Sequence, residues 1–151
     1  MKTITITKSD LDSNNKYKEG FIGTYAEYAD VSVEIAENLG YVMFEKGIYV
    51  NGSIVAKAGS GIKAGEGIEA GEGIEAGGGI EAGWGIEAGG GITAGLSIRC
   101  KKVIKWSFDL FAGTAVWKKP TDEECMIEAG ELQGGEVKYG IVKLLHKEEK
   151  K

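Results

Sequence analysis

An isoleucine at every sixth position constrains the fold of this chain more than any other feature of its sequence. The residues that keep this spacing are Ile62, Ile68, Ile74, Ile80, Ile86, Ile92, Ile98, Ile104 and, in the same register, Leu110. A small residue, usually alanine, follows most of them two places later, as Ala64 follows Ile62. A spacing of two places both side chains on one face of a strand, whereas positions six apart do not repeat on an α-helix. Each hexad therefore predicts one short strand and one corner.

Gly-x-Gly segments separate the successive Ile-x-Ala strands, and we expect their glycines to adopt positive φ at the corners. Each glycine costs about 1 kcal/mol in lost chain entropy, and burial of one isoleucine returns about 1.5–3 kcal/mol. A single hexad is therefore unstable, but stacked hexads share backbone hydrogen bonds and an interior of isoleucine and alanine. The repeat predicts an all-β, single-domain β-solenoid, also called a β-helix.

The six-residue period fits both an 18-residue coil with three sides and a 12-residue coil with two sides. In an 18-residue coil, Lys63, Glu81 and Arg99 align as alternating charges. In a 12-residue coil, Glu75 aligns with Glu87, so that like charges lie one strand apart. The charge pattern therefore favours a three-sided solenoid with irregular capping segments at both ends.

Changes of pattern divide the chain into four segments. These are an N-terminal strand and capping segment (1–30), the solenoid (31–116) with its regular hexads (61–113), a C-terminal cap of short strands (117–145) and a solvated tail (146–151).

Two parts of this division have alternative interpretations. Residues 25–39 have the spacing of an amphipathic helix, but β-branched residues alternate at Val31, Val33 and Ile35, which favours strands. Residues 50–53 fit either a solenoid corner or a hairpin turn.

Large aromatic residues follow the repeat. An open coil would expose strand edges to further pairing, so we expect Trp106, Phe108 and Trp117 to cover the final coil. A covered coil predicts a discrete monomer or homodimer rather than a filament.

Acidic residues are concentrated in the repeat. Between 61 and 97 there are six glutamates and one lysine, so this stretch alone carries a charge equal to the chain's net charge of −5. We predict an acidic face that binds a protein partner, with one tryptophan as an exposed anchor or as a packing residue. The candidate partner-binding residues are Glu66, Glu69, Glu72, Glu75, Glu81, Trp84 and Glu87. This charge predicts no direct binding to nucleic acid or to a membrane.

Few residues of the sequence are suited to catalysis or metal binding. The one histidine, His146, lies in the charged tail, and aspartate is absent from 61 to 104. Cys100 and Cys125 lack metal-ligand spacing and are too few for a disulfide framework. The first residues do not have the pattern of a signal peptide. We therefore expect a non-enzymatic, cytoplasmic protein with no catalytic site, cofactor or metal.

The segment GIEAGEGIEAGGGIEAGWGIEAG (67–89) resembles uncharacterised Ile-x-Ala-Gly repeat proteins of gut Firmicutes and their phages. The likeness covers residues 31–130, and it implies a β-solenoid and an origin in a mobile element, without a characterised activity. More distantly, the chain is similar to bactofilin-type polymer-forming solenoids and to hexapeptide-repeat acyltransferases. The acyltransferases need a histidine base near a coil edge, where this chain has none.

Three functions remain open at this stage. The first is a binding protein that inhibits a host defence machine, with a nucleic-acid-binding complex as its partner and the acidic face as a decoy. The second is a structural scaffold or self-assembling solenoid. The third and most remote is an acyltransferase of the hexapeptide type.

Overall fold

Each hexad of the repeat forms one short strand, as the spacing predicts, and the strands assemble into a parallel β-solenoid. The computed structural model describes residues 1–145. Its strands are β1 (Lys2–Ile6), β2 (Val31–Ile35), β3 (Gly40–Phe44), β4 (Ile48–Val50), β5 (Ile54–Ala56), β6 (Ser60–Ala64), β7 (Ile68–Ala70), β8 (Ile74–Ala76), β9 (Ile80–Ala82), β10 (Ile86–Ala88), β11 (Ile92–Ala94), β12 (Ile98–Cys100), β13 (Val103–Ala112), β14 (Met126–Ala129), β15 (Glu131–Tyr139) and β16 (Ile141–Leu144). Two short 3₁₀ helices cover Lys8–Asp10 and Glu123–Cys125.

The strands form three faces. Face 1 contains β4, β7, β10 and the first half of β13, and face 2 contains β1, β2, β5, β8, β11 and the second half of β13. Face 3 contains β3, β6, β9, β12, β14 and β16. In the regular part, partners on each face are three hexads apart, as Ile68 pairs with Ile86 and Ile80 with Ile98. The three-sided coil is therefore confirmed, and the two-sided coil is wrong.

The isoleucines of the hexads form columns inside the solenoid. Those from Ile62 to Ile104 are at most 1% exposed, and the alanines two places later are also buried. Burial of each isoleucine contributes about 1.5–3 kcal/mol, so these columns supply most of the stability of the repeat.

The corner glycines have a different role from the predicted one. Positive φ occurs at other glycines, such as Gly59 and Gly113, but at none between 61 and 96. A Cβ on Gly83 would instead overlap the carbonyl oxygen of Gly65, and a Cβ on Gly89 would overlap that of Gly71. Glycine is therefore required because adjacent coils approach closely at their corners, and the prediction of positive φ in the repeat is wrong.

The coils before the regular repeat are slightly longer than three hexads. Strand partners there are two or three positions further apart than in the repeat: Ile48 pairs with Ile68 and Val42 with Ile62, and Val33 pairs with Ile54. The extra positions widen the corner between faces 2 and 3, before β6. Ser60 is buried there, and its hydroxyl donates a hydrogen bond to the carbonyl of Ala36 and accepts one from the N–H of Leu39.

The N-terminal segment forms an irregular coil that covers this end of the core. β1 pairs with β2 on face 2, Lys16 bridges to Met43 on face 3, and Ile22 bridges to Ile48 on face 1. Leu11 and Ile22 are buried with the core. The N-terminal capping segment is thus present in the structure.

The two open interpretations are settled by the strand pairing. Residues 31–35 form β2, and no α-helix occurs within 25–39. Residues 51–53 form a corner between β4 and β5, which lie on different faces. The interpretation as strands is therefore confirmed, and the helix and the hairpin turn are excluded.

The C-terminal segment, 117–145, contains strands that add to the solenoid. β14 pairs in parallel with β12, β15 with β13, and β16 with β14. Residues 126–144 therefore complete a further coil, because their apolar residues alternate in register with the coil before them. The predicted tail, 146–151, lies outside the described residues.

The aromatic residues do not cover the final coil, and this prediction is wrong. Trp106 points into the core, and its indole N–H donates to the carbonyl of Glu136. Trp117 lies on face 2 and donates to the carbonyl of Gly77, while Phe108 is 74% exposed. Trp106 and Phe108 lie in β13, one coil before β15, and Trp117 packs against earlier coils, so none of the three lies beyond the last coil.

Within residues 1–145, no helix is long and apolar enough to cross a membrane.

Candidate functional site

The seven candidate residues are distributed around the solenoid. Glu69 and Glu87 point outward from face 1 on neighbouring strands. Glu66 and Trp84 lie at the corner between faces 3 and 1, and Glu72 lies at the corner between faces 1 and 2. Five candidates therefore lie on or beside face 1.

The other two candidates do not join this group. Glu75 lies on face 2, between Val55 and Thr93, and Glu81 lies on face 3. Successive hexads occupy successive faces, so glutamates repeated at every sixth position lie on different faces of the solenoid. The expectation of one acidic face that holds all six glutamates is therefore wrong. We call Glu66, Glu69, Glu72 and Glu87 the acidic patch.

Glu69 and Glu87 are directly opposite each other in the parallel ladder of face 1. Their strands are about 4.8 Å apart, so the two carboxylates repel each other. Burial, and then the charge of Glu87, raises the pKa of Glu69 to about 6, and Lys105 on the next strand partly offsets this rise. Glu69 thus has a carboxylate opposite it on one adjacent strand of face 1 and the uncharged Tyr49 opposite it on the other.

Face 3 has the opposite arrangement. Its outward residues alternate in sign along the ladder: Lys63, Glu81, Arg99, Glu128 and Lys143. Lys63 Nζ lies 3.8 Å from Glu81 Oε1, and Arg99 Nε lies 3.7 Å from Glu128 Oε1. The predicted alignment of Lys63, Glu81 and Arg99 is confirmed. Face 3 neutralises its own charge, whereas on face 1 Glu87 has an opposite charge beside it, Lys105, and Glu69 has none.

Trp84 lies next to the acidic patch and is 46% exposed. Its backbone N–H donates to the carbonyl of Glu66, and its own carbonyl accepts from the N–H of Lys102. The ammonium of Lys102 lies 5.8 Å from the centre of the indole ring. The ring is thus held at the corner beside a cation, with nearly half of its surface open to a partner.

Lys102 and Lys105 limit the acidic patch on its C-terminal side, and the sequence analysis did not include them in the site. They lie one coil after Trp84 and Glu87, respectively. Their spacing of three hexads from those positions was the signal that could have identified them. With Glu69 and Glu87 they line a shallow groove of about 320 Å³.

A tyrosine cluster limits the patch on its N-terminal side. Tyr49 is the outward residue before Glu69 on face 1, and it is buried. The rings of Tyr25 and Tyr28 lie edge-on to it, at 6.3 and 5.9 Å, and its hydroxyl accepts a hydrogen bond from the N–H of Gly67. The accessible part of face 1 therefore begins at Glu69.

The residues suited to covalent or metal chemistry lie away from this patch. Cys100 is buried, and burial raises the pKa of its thiol to about 11, so the reactive thiolate is strongly disfavoured. Cys125 is half-buried, and both cysteines are free. Among the described residues, no group of three or more His, Cys, Asp or Glu is placed to hold a metal ion. His146 lies outside the described residues.

Comparison of the chain with protein-family models, with curated proteins and with solved structures finds no match.

Proposed function

We propose that this protein is a non-enzymatic binding protein that occupies a basic surface of a partner protein through the acidic patch and Trp84. The observation that carries the proposal is the direct alignment of Glu69 with Glu87. Like charges on adjacent strands destabilise a sheet, and face 3 of the same molecule avoids them by alternation. The Glu69 carboxylate has no opposite charge on either adjacent strand, and both it and the exposed tryptophan nearby would gain from contact with a basic partner surface.

The partner class that best fits is a protein with a nucleic-acid-binding surface, because such surfaces present clustered lysine and arginine. Duplex DNA carries about one negative charge per 1.7 Å of its axis. With Glu75 and Glu81 on other faces, the charge density of the patch is lower than the sequence suggested. The patch therefore matches a local basic cluster rather than a long DNA-binding channel.

The biological setting is part of the proposal. We place the protein in the cytoplasm, where thiols remain reduced, and its two free cysteines agree with that placement. The proposal takes the repeat to be of the kind found in uncharacterised proteins of gut Firmicutes and their phages, and gives the protein the role of an inhibitor of a host defence complex. Inhibition by occupation needs a rigid surface and no catalytic group, and a stacked solenoid provides such a surface.

Two charge-matched variants test the proposal. Glu69→Gln with Glu87→Gln removes two charges from face 1, and Glu75→Gln with Glu81→Gln removes two charges from faces 2 and 3. Immobilised wild-type protein would first capture its partner from host cytosol. We expect the face 1 variant to lose at least tenfold in affinity for the captured partner and the matched control to lose less than threefold. The association rate with the wild type should also fall steeply as salt rises.

Trp84→Ala tests the anchor independently of charge. We expect weaker binding with an unchanged melting temperature, because the ring is held only at a corner. Equal binding by the wild type, the face 1 variant and Trp84→Ala would contradict the proposal. Competition with duplex DNA tests the partner class. If duplex DNA does not compete with the protein for the captured partner, the partner surface is not a nucleic-acid-binding one.

A further inference from the structure

The last coil of the solenoid leaves the end of the core uncovered. In this coil β15 pairs on one side with β13, and β16 pairs on one side with β14. Their other edges have no strand partner among residues 1–145. Each free edge presents a row of backbone N–H and C=O groups that can pair with another chain.

The inward residues of the last coil are exposed for the same reason. Val137 continues the column of Leu110, Val142 that of Ile127, and Leu144 that of Ala129. Ile127 and Leu110 are completely buried, whereas Val137, Val142 and Leu144 are 36%, 44% and 46% exposed. These aliphatic residues occupy core positions, but no further coil covers them in the described part of the chain.

The two ends of the solenoid differ. At the N-terminal end, Ile6, Leu11 and Ile22 are buried under the irregular first coil. At the C-terminal end, Leu145 is the last described residue, and the six residues that follow it in the sequence, HKEEKK, include no apolar side chain. Among residues 1–145, β1 also has a free edge, but it lies on face 2 alone, so a head-to-tail contact could extend only that face and would leave β16 on face 3 without a strand partner.

The charges of the open coil suit a contact between two copies. Glu136 and Lys138 form an ion pair within the coil, with Lys138 Nζ 3.2 Å from Glu136 Oε1, and Glu131 and Lys143 lie towards its opposite ends. A two-fold axis perpendicular to the solenoid reverses the second copy, so that Glu131 of one coil meets Lys143 of the other. The surface is neutral as a whole and is electrostatically complementary to itself.

We propose that two copies associate head to head through the coil formed by residues 131–145, and that this contact closes the core of each. The contact uses the free edges of β15 and β16 and buries Val137, Val142 and Leu144 against their counterparts. The coil has fewer residues than the roughly 20–30 per side of a standard interface. We therefore expect a homodimer that forms at micromolar concentration.

Light scattering and sedimentation of the full chain, across the range from micromolar to millimolar, test the proposal. The wild type should approach a mass twice that of the 16.0 kDa chain and should not grow further. Val142→Lys with Leu144→Lys should raise the dimer dissociation constant at least tenfold. A matched control, Val116→Lys, changes an apolar residue that is 97% exposed in the loop beside face 2 and should leave the dimer unchanged.

Distances between spin labels distinguish the orientation, on a Cys100→Ala, Cys125→Ser background because both native thiols are free. Labels on the Glu131→Cys variant should be close in the dimer, and labels on the Ser9→Cys variant, at the covered end, should be far apart. A wild type that remains monomeric to millimolar concentration would overturn the proposal, and so would growth into filaments. A dimer with the two Ser9 labels close together would also overturn it. Melting curves establish that the double lysine variant is folded, and a single Val142→Lys variant replaces it if it is not.

Discussion

Glu69 is the residue at which the charge arrangement of the solenoid conflicts most with its stability. Its carboxylate is partly buried and faces the carboxylate of Glu87. The positive charge that partly stabilises its ionised form, on Lys105, lies one strand further away. Because the folded state raises the pKa of Glu69, the folded protein binds a proton more tightly than the unfolded chain. The stability from this group is complete below its ordinary pKa of 4.5 and is lost as pH rises through about 6.

Glu69→Gln should therefore change the pH dependence of folding. Relative to the wild type, we expect the variant to be more stable at pH 7 by about 1 kcal/mol, a value that allows for solvent screening. This advantage should disappear as pH falls from about 6 to 4.5. Urea unfolding at several pH values measures it. Glu75→Gln, which has no carboxylate opposite, is the control, and a constant difference between Glu69→Gln and the wild type would contradict the expectation.

Ile80 tests the inward register at a single position. It is completely buried in the column of face 3, so Ile80→Asp should cost more than about 4 kcal/mol and unfold the protein or nearly so. The next residue, Glu81, points outward to Lys63 at 3.8 Å, and Glu81→Gln should change stability by less than about 1 kcal/mol. Circular dichroism during heating compares the two. Normal melting of Ile80→Asp would contradict the observed register.

At the scale of the strand and its corner, glycine is required because adjacent coils approach too closely for a side chain, and not because the backbone needs positive φ. Gly89 and Gly90 occupy the same corner, and neither has positive φ. A Cβ on Gly89 would overlap the carbonyl of Gly71, whereas a Cβ on Gly90 would lie 3.4 Å from the nitrogen of Gly73. The first glycine of a corner therefore has no room for a side chain, and the second has some.

Gly89→Ala should accordingly destabilise the protein by about 1–3 kcal/mol, because the coils must separate at the corner. Gly90→Ala should be much closer to neutral. Both variants make the same chemical change, so the difference between their melting temperatures isolates the contact between coils. Equal melting temperatures would indicate that backbone freedom, and not close approach, determines the requirement for glycine.

The sequence predicted the columns and the three-sided coil because both follow from a fixed spacing of residues. Ile62 to Ile104 never leave the hexad register, and Lys63, Glu81 and Arg99 distinguished a coil of three hexads from a coil of two. The wide corner before Ser60 was missed, because its extra length is invisible without the pairing partners of β6. The role of the corner glycines was also missed, since a sequence does not indicate which carbonyl lies above each one.

The candidate site was predicted less well, for a physical reason. The number of glutamates in the repeat gives the charge per unit length of the solenoid, but it does not give the charge on any one face. The coil distributes these residues over three faces and their corners. Only positions three hexads apart lie on adjacent strands of one face, as Glu69 and Glu87 do. Lys102 and Lys105, whose positive charges partly compensate the acidic patch, lie in the coil after the repeat. That coil keeps the hexad spacing but not the Ile-Glu-Ala sequence of the hexads.

At the scale of the whole molecule, the coil is the unit of length. Deletion of 68–85 removes one complete coil of three hexads and joins Gly67 to Ile86, which keeps every later strand on its own face. Deletion of 68–79 keeps the hexad pattern as well, but it moves every later strand to the wrong face. We expect the first variant to fold with reduced stability and the second to fail to fold cooperatively. Thermal melting and hydrogen exchange compare them, and equal stability would contradict this account.

The covered N-terminal end also matters for synthesis on the ribosome. All strands of the solenoid core are parallel, so each coil contacts mainly the coil that was made before it and the one made after it. The coil that covers the core is made before the coils that it covers, and every later coil can pair with a folded edge as soon as it leaves the exit tunnel. Each new coil therefore covers the edge of the coil before it, so on this side the growing solenoid presents the edge of one coil at a time.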